Sequence, residues 1–259
     1  MKKNIIALSI LAAIGLVGCG SGGGQNHAAP NTQTNKAVEN KSVENKVIEN
    51  EPVENKYSYV ISVPKTAGNT REKDFSDLAD LNQLYIEDEQ QIFTIYRNDE
   101  LNKTDLKIDN STNKDRIYPN NYSLYGLISQ ENLRNHYLFL RGTQPYDTTN
   151  LTGIVTYEGN AIQLKLDENT NLNGFTNGKV NLVANFDNKT LNGAVTGDFK
   201  PVEIVATIKG EAFQGGKENF TVKGIFFGPE AEEVIGRYTR NKTADPKDTT
   251  IGVFGATKK

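Results

Sequence analysis

From residue 180 onward the chain places apolar side chains at every second position, segment after segment. Val180, Leu182, Ala184 and Phe186 form one set, Val202, Ile204, Ala206 and Ile208 a second, and Phe220, Val222, Gly224 and Phe226 a third. A period of two puts each set on one face of an extended strand, and that face has to be buried. Asp187-Asn188-Lys189 separates Phe186 from a return strand over 191–195, which makes the pair a hairpin. Residues 137–141, 153–158 and 161–166 read as further short strands bounded by turn residues, and Ile251 and Val253 resume the alternation near the end. Roughly seven to nine strands at this spacing predict an antiparallel barrel or sandwich. A closed barrel has no free sheet edge, so this half is expected to fold without cover from the rest of the chain. Pro229-Glu230-Ala231-Glu232-Glu233 predicts a short helical turn with its three glutamates in solvent.

Between residues 57 and 137 the alternation is shorter and more often interrupted. Tyr57, Tyr59, Ile61 and Val63 mark one strand, and 84–86, 92–96 and 122–128 mark three more. Phe75, Leu78, Ala79 and Asn82 follow helical spacing, which predicts a short helix over 74–81. Residues 110–121 are polar and predict a long loop. Tyr and Arg on a long loop make up a typical contact surface, because Tyr offers large area at small entropic cost. Arg116, Ile117, Tyr118 and Tyr122 are therefore the candidate ligand-binding residues. Tyr122 and Tyr125 are equally suited to pack this domain's own core.

Charge and composition exclude several chemistries. The 29 Lys+Arg against 32 Asp+Glu leave a net charge of -3, with no basic cluster of the kind that tracks phosphates, so nucleic acid is not an expected partner. One Cys and two His cannot supply a four-ligand structural zinc site, and no metal site is expected. Neither a phosphate-binding Gly-rich loop nor a GxSxG elbow is present, so no enzymatic activity is expected. His136 is open to two readings, a haem axial ligand or a packing residue beside Tyr137. No other cofactor is expected.

The first residues read as an address. Lys2 and Lys3 precede an apolar run from Ile5 to Val17, too short to cross a bilayer as a helix but suited to a secretory signal. Leu16-Val17-Gly18-Cys19 resembles the lipobox of bacterial lipoproteins. The resemblance implies cleavage before Cys19, thioether lipidation of its sulfur, acylation of the new amino terminus, and anchoring by several acyl chains. Gly20 in place of Asp after the Cys implies onward transport to the outer membrane. With its one Cys lipidated, the mature chain has none left for an internal disulfide. From Gly20 to Lys56 a glycine-rich start is followed by Val38-Glu39-Asn40-Lys41 and three related repeats. One aliphatic side chain per repeat cannot offset chain entropy, so this is a tether. It spans about 35 Å as a random coil and about 120 Å fully extended.

A more specific signal lies near the carboxy terminus. Gly224-Ile225-Phe226-Phe227-Gly228-Pro229-Glu230-Ala231-Glu232-Glu233-Val234-Ile235-Gly236 and the later Val253-Phe254-Gly255-Ala256 resemble the end of the β-barrel domain of the transferrin-binding protein B family. Residues 140–145, 152–159 and 186–193 resemble its opening strands and central hairpin, so the resemblance covers 138–259. Residues 84–86 and 92–96 are similar to the amino-terminal half of factor H-binding protein, and hemophilin shares the same plan. The resemblance implies a mainly β protein: an eight-stranded antiparallel barrel over 138–259, a small β-rich handle over 57–137, a lipidated tether over 19–56 and a signal peptide over 1–18. It also implies a lipoprotein facing outward from the outer membrane, delivered by a surface lipoprotein assembly modulator. The implied ligand is a host serum protein, either an iron or haem carrier such as transferrin, with a TonB-dependent receptor alongside, or a complement regulator such as factor H.

Overall fold

The computed structural model describes residues 56–66, 70–74, 80–95, 106–109, 112–166, 172–217, 219–240 and 250–259, all within the unit that spans Asn50–Lys259. Cys19, the expected signal peptide and nearly all of the expected tether lie outside the described residues, as does most of the helix expected over 74–81. The first strands are β1 (Lys56–Pro64), β2 (Arg71–Asp74), β3 (Gln83–Ile86), β4 (Gln91–Thr94), β5 (Leu106–Asp109), β6 (Lys114–Pro119), β7 (Ser123–Ile128) and β8 (Asn135–Thr143). Six of them form one sheet in the order β2-β1-β8-β7-β6-β5, while β3 and β4 form a separate hairpin. The handle sheet is apolar on both faces. Along β8, Tyr137 and Phe139 face one cluster with Leu84 and Ile86 of β3, while Leu138 and Leu140 face the barrel. Successive side chains of a strand point to opposite faces, which is how one strand serves two cores.

The second half supplies β9 (Ile154–Leu166), β10 (Leu172–Asn185), β11 (Thr190–Gly197), β12 (Phe199–Lys209), β13 (Ala212–Lys217), β14 (Phe220–Phe227), β15 (Glu233–Arg240) and β16 (Thr250–Lys258). These eight close into an antiparallel barrel, with β16 pairing back onto β9 from Thr250↔Lys165 to Lys258↔Tyr157. The expected hairpin is present, with Asn185↔Thr190 as its last pair. Phe226 sits at the centre of the barrel, fully buried, its ring 5.6 Å from Phe186 and 5.7 Å from Phe213 between centroids. The sets Val180/Leu182/Ala184 and Val202/Ile204/Ala206/Ile208 point into this interior.

Four expectations are corrected. Residues 114–119 are a strand of the handle sheet and not part of a loop. Residues 138–143, expected in the barrel, lie in β8 and pair with β1 and β7, so the first barrel strand begins at Ile154. The segments 153–158 and 161–166 are one long strand, β9. The barrel is also not without cover. Ile162, Leu164 and Leu166 of β9, Ile235 of β15, and Ile251 and Val253 of β16 are buried in one cluster with Tyr59, Ile61, Tyr118, Tyr125, Leu138 and Leu140 of the handle. Closing a barrel removes its edges, but it leaves an outer face, and here the handle covers part of that face.

Candidate binding surface

Two tyrosines and two glycines shape the junction between handle and barrel. Tyr125 lies on β7 and its hydroxyl donates to the backbone oxygens of Asn160 (3.0 Å) and Gly255 (3.1 Å). A β-carbon on Gly255 would stand 2.2 Å from the Tyr125 ring, so the tyrosine docks only over glycine. At the start of β14's following turn, Gly228 has φ 76°, and a β-carbon there would stand 2.5 Å from the Tyr122 ring. Both glycines belong to the carboxy-terminal motif, and their shared role is to admit handle side chains against the barrel.

Glu233 completes the junction. It was expected in solvent beside Glu230 and Glu232; instead it is 2% exposed. Its carboxylate accepts from the backbone N–H of Asn121 (2.7 Å), the backbone N–H of Tyr122 (3.1 Å) and the Ser123 hydroxyl (2.8 Å). Burial pushes this carboxyl above the ordinary glutamate range, and the three donors pull it part of the way back. Nearby, Arg237 of β15 pairs with Glu72 of β2 at 3.1 Å and stacks over the Tyr59 ring at 3.7 Å. The Tyr59 hydroxyl also donates to Glu72.

Three of the four residues expected to bind a ligand fall inside this junction, and the fourth lies in the handle's outer core. Arg116, Ile117 and Tyr118 lie on β6 and are buried. Ile117 packs in the handle's outer core with Leu124 and Phe139. Tyr118 stacks on Tyr125 with centroids 5.2 Å apart, and Arg116 lies over the Phe175 ring at 5.2 Å while donating to the Asp115 carbonyl. Tyr122 is half-buried against the barrel. Arg116, Tyr118 and Tyr122 hold handle to barrel and Ile117 fills the handle's own outer core, which corrects their placement on an exposed contact loop. The sequence signal was sound in kind, since Tyr and Arg do build an interface, but the interface is internal.

His136 lies near the start of β8, opposite Val63 of β1. It is half-buried, with Nδ1 2.8 Å from the Ser129 hydroxyl. Burial, reinforced by the charge of Lys65, lowers its pKa to about 4. A neutral imidazole is the form that could ligate a metal. Among the described residues no three His, Cys, Asp or Glu side chains converge as a metal-holding group.

The handle engages β9, β15 and β16, and also Leu172 and Phe175 of β10 and Ile225 and Phe227 of β14, so the part of the barrel left facing outward centres on β11 to β13. Along β12, Glu203, Val205, Thr207 and Lys209 are exposed while the residues between them are buried. This wall is extended, polar and partly apolar, and it suits recognition of a folded partner more than enclosure of a small molecule.

Comparison with known proteins follows the same division. Residues 150–258 match the family model for the C-lobe and N-lobe beta barrels of Tf-binding protein B. No curated protein matches the sequence. The fold is similar to transferrin binding protein B from serogroup B Neisseria meningitidis, with a TM-score of 0.59 and 18% identity over 78% of this chain and 43% of that one. It is similar to a mutant transferrin binding protein B from Haemophilus parasuis Hp5, with a TM-score of 0.57 and 19% identity over 78% of this chain and 45% of that one. A protein described as a surface lipoprotein aligns with a TM-score of 0.55 and 15% identity over 78% of this chain and 98% of that one. At these identities the likeness is one of fold, and the chain spans less than half the length of the first two. The sequence match covers the strands from β9 to β16, so residues 150–258 form a β-barrel similar to those of transferrin-binding protein B.

Proposed function

We propose that this protein is a lipid-anchored lipoprotein of the outer membrane, facing outward, that binds a host protein, with an iron or haem carrier as the partner. The match of residues 150–258 to the transferrin-binding protein B barrel carries this reading. The lipobox at Leu16-Val17-Gly18-Cys19 and the repeat-rich segment after it support display at a distance from the membrane. Binding at a wide, polar protein surface also fits a fold whose apolar residues are spent on the barrel interior and the handle junction.

The test uses residues 56–259 immobilised on beads and exposed to serum, with retained proteins identified by mass spectrometry. An iron or haem carrier is the expected catch. Retention of a complement regulator such as factor H would move the function to immune evasion, and retention of nothing would contradict a serum-protein ligand. The anchor is tested separately. Cys19→Ala should abolish incorporation of radioactive palmitate and shift the protein out of the detergent phase; unchanged labelling would contradict lipidation.

A further inference from the structure

Large apolar side chains left in water are few on this molecule, and most of them share one place. Among the described residues four are exposed, Ile92, Ile154, Val183 and Val205, at 54%, 66%, 42% and 53%. Ile92 lies on the β3–β4 hairpin of the handle. The other three stand together on the barrel. Register sets Thr156, Val183, Asn192 and Val205 side by side across β9 to β12. The next outward row is Ile154, Asn185, Thr190, Thr207 and Gln214, across β9 to β13. Ala184, Leu191 and Ala206, which lie between the two rows, point into the barrel, so all nine side chains share its outer face.

None of the nine is charged, in a chain of which 24% is Asp, Glu, Lys or Arg. Charge returns at the edges, with Glu158 and Glu203 exposed beyond one row and Asp187 and Lys209 beyond the other. Strand propensity favours Val and Thr but disfavours Asn, so it does not account for this set. Single apolar residues on a surface need no explanation, but three gathered on an uncharged strip do. A centre without charge inside a charged rim is the composition that sets an interface core apart from the rest of a surface.

We propose that this strip is the centre of a docking face for an uncharged patch on a folded partner protein. The proposal rests on the host-protein reading above and names the surface that would serve it. The missing charge fixes the partner's chemistry: an ionised group pressed against Val183 and Val205 would lose its water and gain no counter-charge. Asn192 and Gln214 offer amide donors and acceptors to the partner's backbone and hydroxyl groups. A bilayer fits less well, because the strip has no aromatic anchor and no Lys or Arg to meet headgroups. A second copy of this chain also fits less well. Five strands and two rows make a strip of about 20 by 10 Å, about a quarter of one partner's share of a standard interface. Two copies joined strip to strip would bury too little to hold together, whereas a larger protein can reach past the rim.

The test compares serum capture by residues 56–259 with capture by a variant carrying Val183→Glu and Val205→Glu. A second variant carries Asn192→Arg and Thr207→Arg, and a control places Lys200→Glu and Lys217→Glu at one end of the barrel. Thermal melts establish that each variant is folded; the Arg pair serves if the Glu pair is not. The expected result is capture by the wild type and the control, and at least tenfold less capture by both strip variants. Wild-type capture should also hold within about twofold between about 0.15 and 0.5 M salt, since an uncharged contact is not screened. Equal capture by folded strip variants, or capture abolished by that salt, would overturn the docking face and leave the host-protein reading standing. A wild type that retains no serum protein would overturn both. Sedimentation provides the remaining arm: a wild type that dimerises, with strip variants that do not, would assign the strip to a second copy instead.

Discussion

Strands β12 and β16 belong to one barrel and are buried in different ways. Both send apolar side chains inward, Val202, Ile204, Ala206 and Ile208 from β12 and Phe254 and Ala256 from β16. Their outward residues differ. β12 presents Glu203, Val205, Thr207 and Lys209 to solvent, whereas β16 is buried from Ile251 to Ala256 on both faces. The outward residues of β16 include Ile251 and Val253, which enter the cluster shared with the handle, and Gly255, which admits Tyr125. One barrel therefore has a wall made to be covered and a wall made to be left open. The covered wall fixes the handle, and under the function proposed above the open wall remains for a partner.

Four substitutions sharpen or break this contrast, with the largest effect first. Phe226 lies beneath both walls, and Phe226→Ala should cost about 3–5 kcal/mol in a denaturant melt, whatever the state of the handle. Val253→Ala on the covered wall should cost about 1.5–3 kcal/mol, while Val205→Ala on the open wall should change stability by no more than about 0.5 kcal/mol. Equal costs at the two valines, measured in the same urea titration, would erase the distinction between walls. Glu233→Ala leaves the donors of Asn121, Tyr122 and Ser123 without their acceptor and should cost about 1–3 kcal/mol, with faster amide exchange in β7 than in β12. Exchange that rises equally in both strands would count against a local junction.

The smallest effect is a pH dependence within the handle. His136 is neutral in the fold down to about pH 4, whereas in the unfolded chain it takes up a proton near 6.5. Between those values the unfolded state binds more protons, so stability from this group is full above about 6.5 and is lost as pH falls towards about 4. Glu233, whose pKa is raised, acts in the opposite direction as pH falls, so the comparison must be made by difference. His136→Asn should flatten the melting-temperature profile between those limits relative to wild type; parallel profiles would refute the assignment.

How much of this was legible in the sequence depended on whether a strand is buried on one face or two. β1, β10, β12 and β14 follow strict alternation and were readable as strands. β6 was not, because Asp115 and Arg116 are polar residues in a buried strand. Asp115 is satisfied by the Ser129 N–H and the Gln130 amide, partners that lie across the sheet and not nearby in sequence. Tyrosine and arginine next to Pro119 therefore read as a loop. β15 lost its period for the opposite reason, since Val234, Ile235 and Gly236 are buried in succession. That continuity was itself a signal. Uninterrupted apolar runs such as Ile251 to Ala256 mark strands with two covered faces, and they point to where the handle lands. Glu233 left no such trace, because spacing along a turn does not distinguish a solvated glutamate from one clasped by a distant loop.

The division into covered and open walls is tested most directly by separating the two parts. Residues 150–259 alone would expose Ile162, Leu164, Ile235, Ile251 and Val253, all of which are at most 2% exposed when the handle is present. An apolar patch of that kind promotes self-association. Sedimentation together with binding of a hydrophobic dye should find the isolated barrel associated and dye-positive, while residues 56–259 stay monomeric and dye-negative. An isolated barrel that is monomeric, dye-negative and as heat-stable as residues 56–259 would contradict a wall built to be covered by the handle.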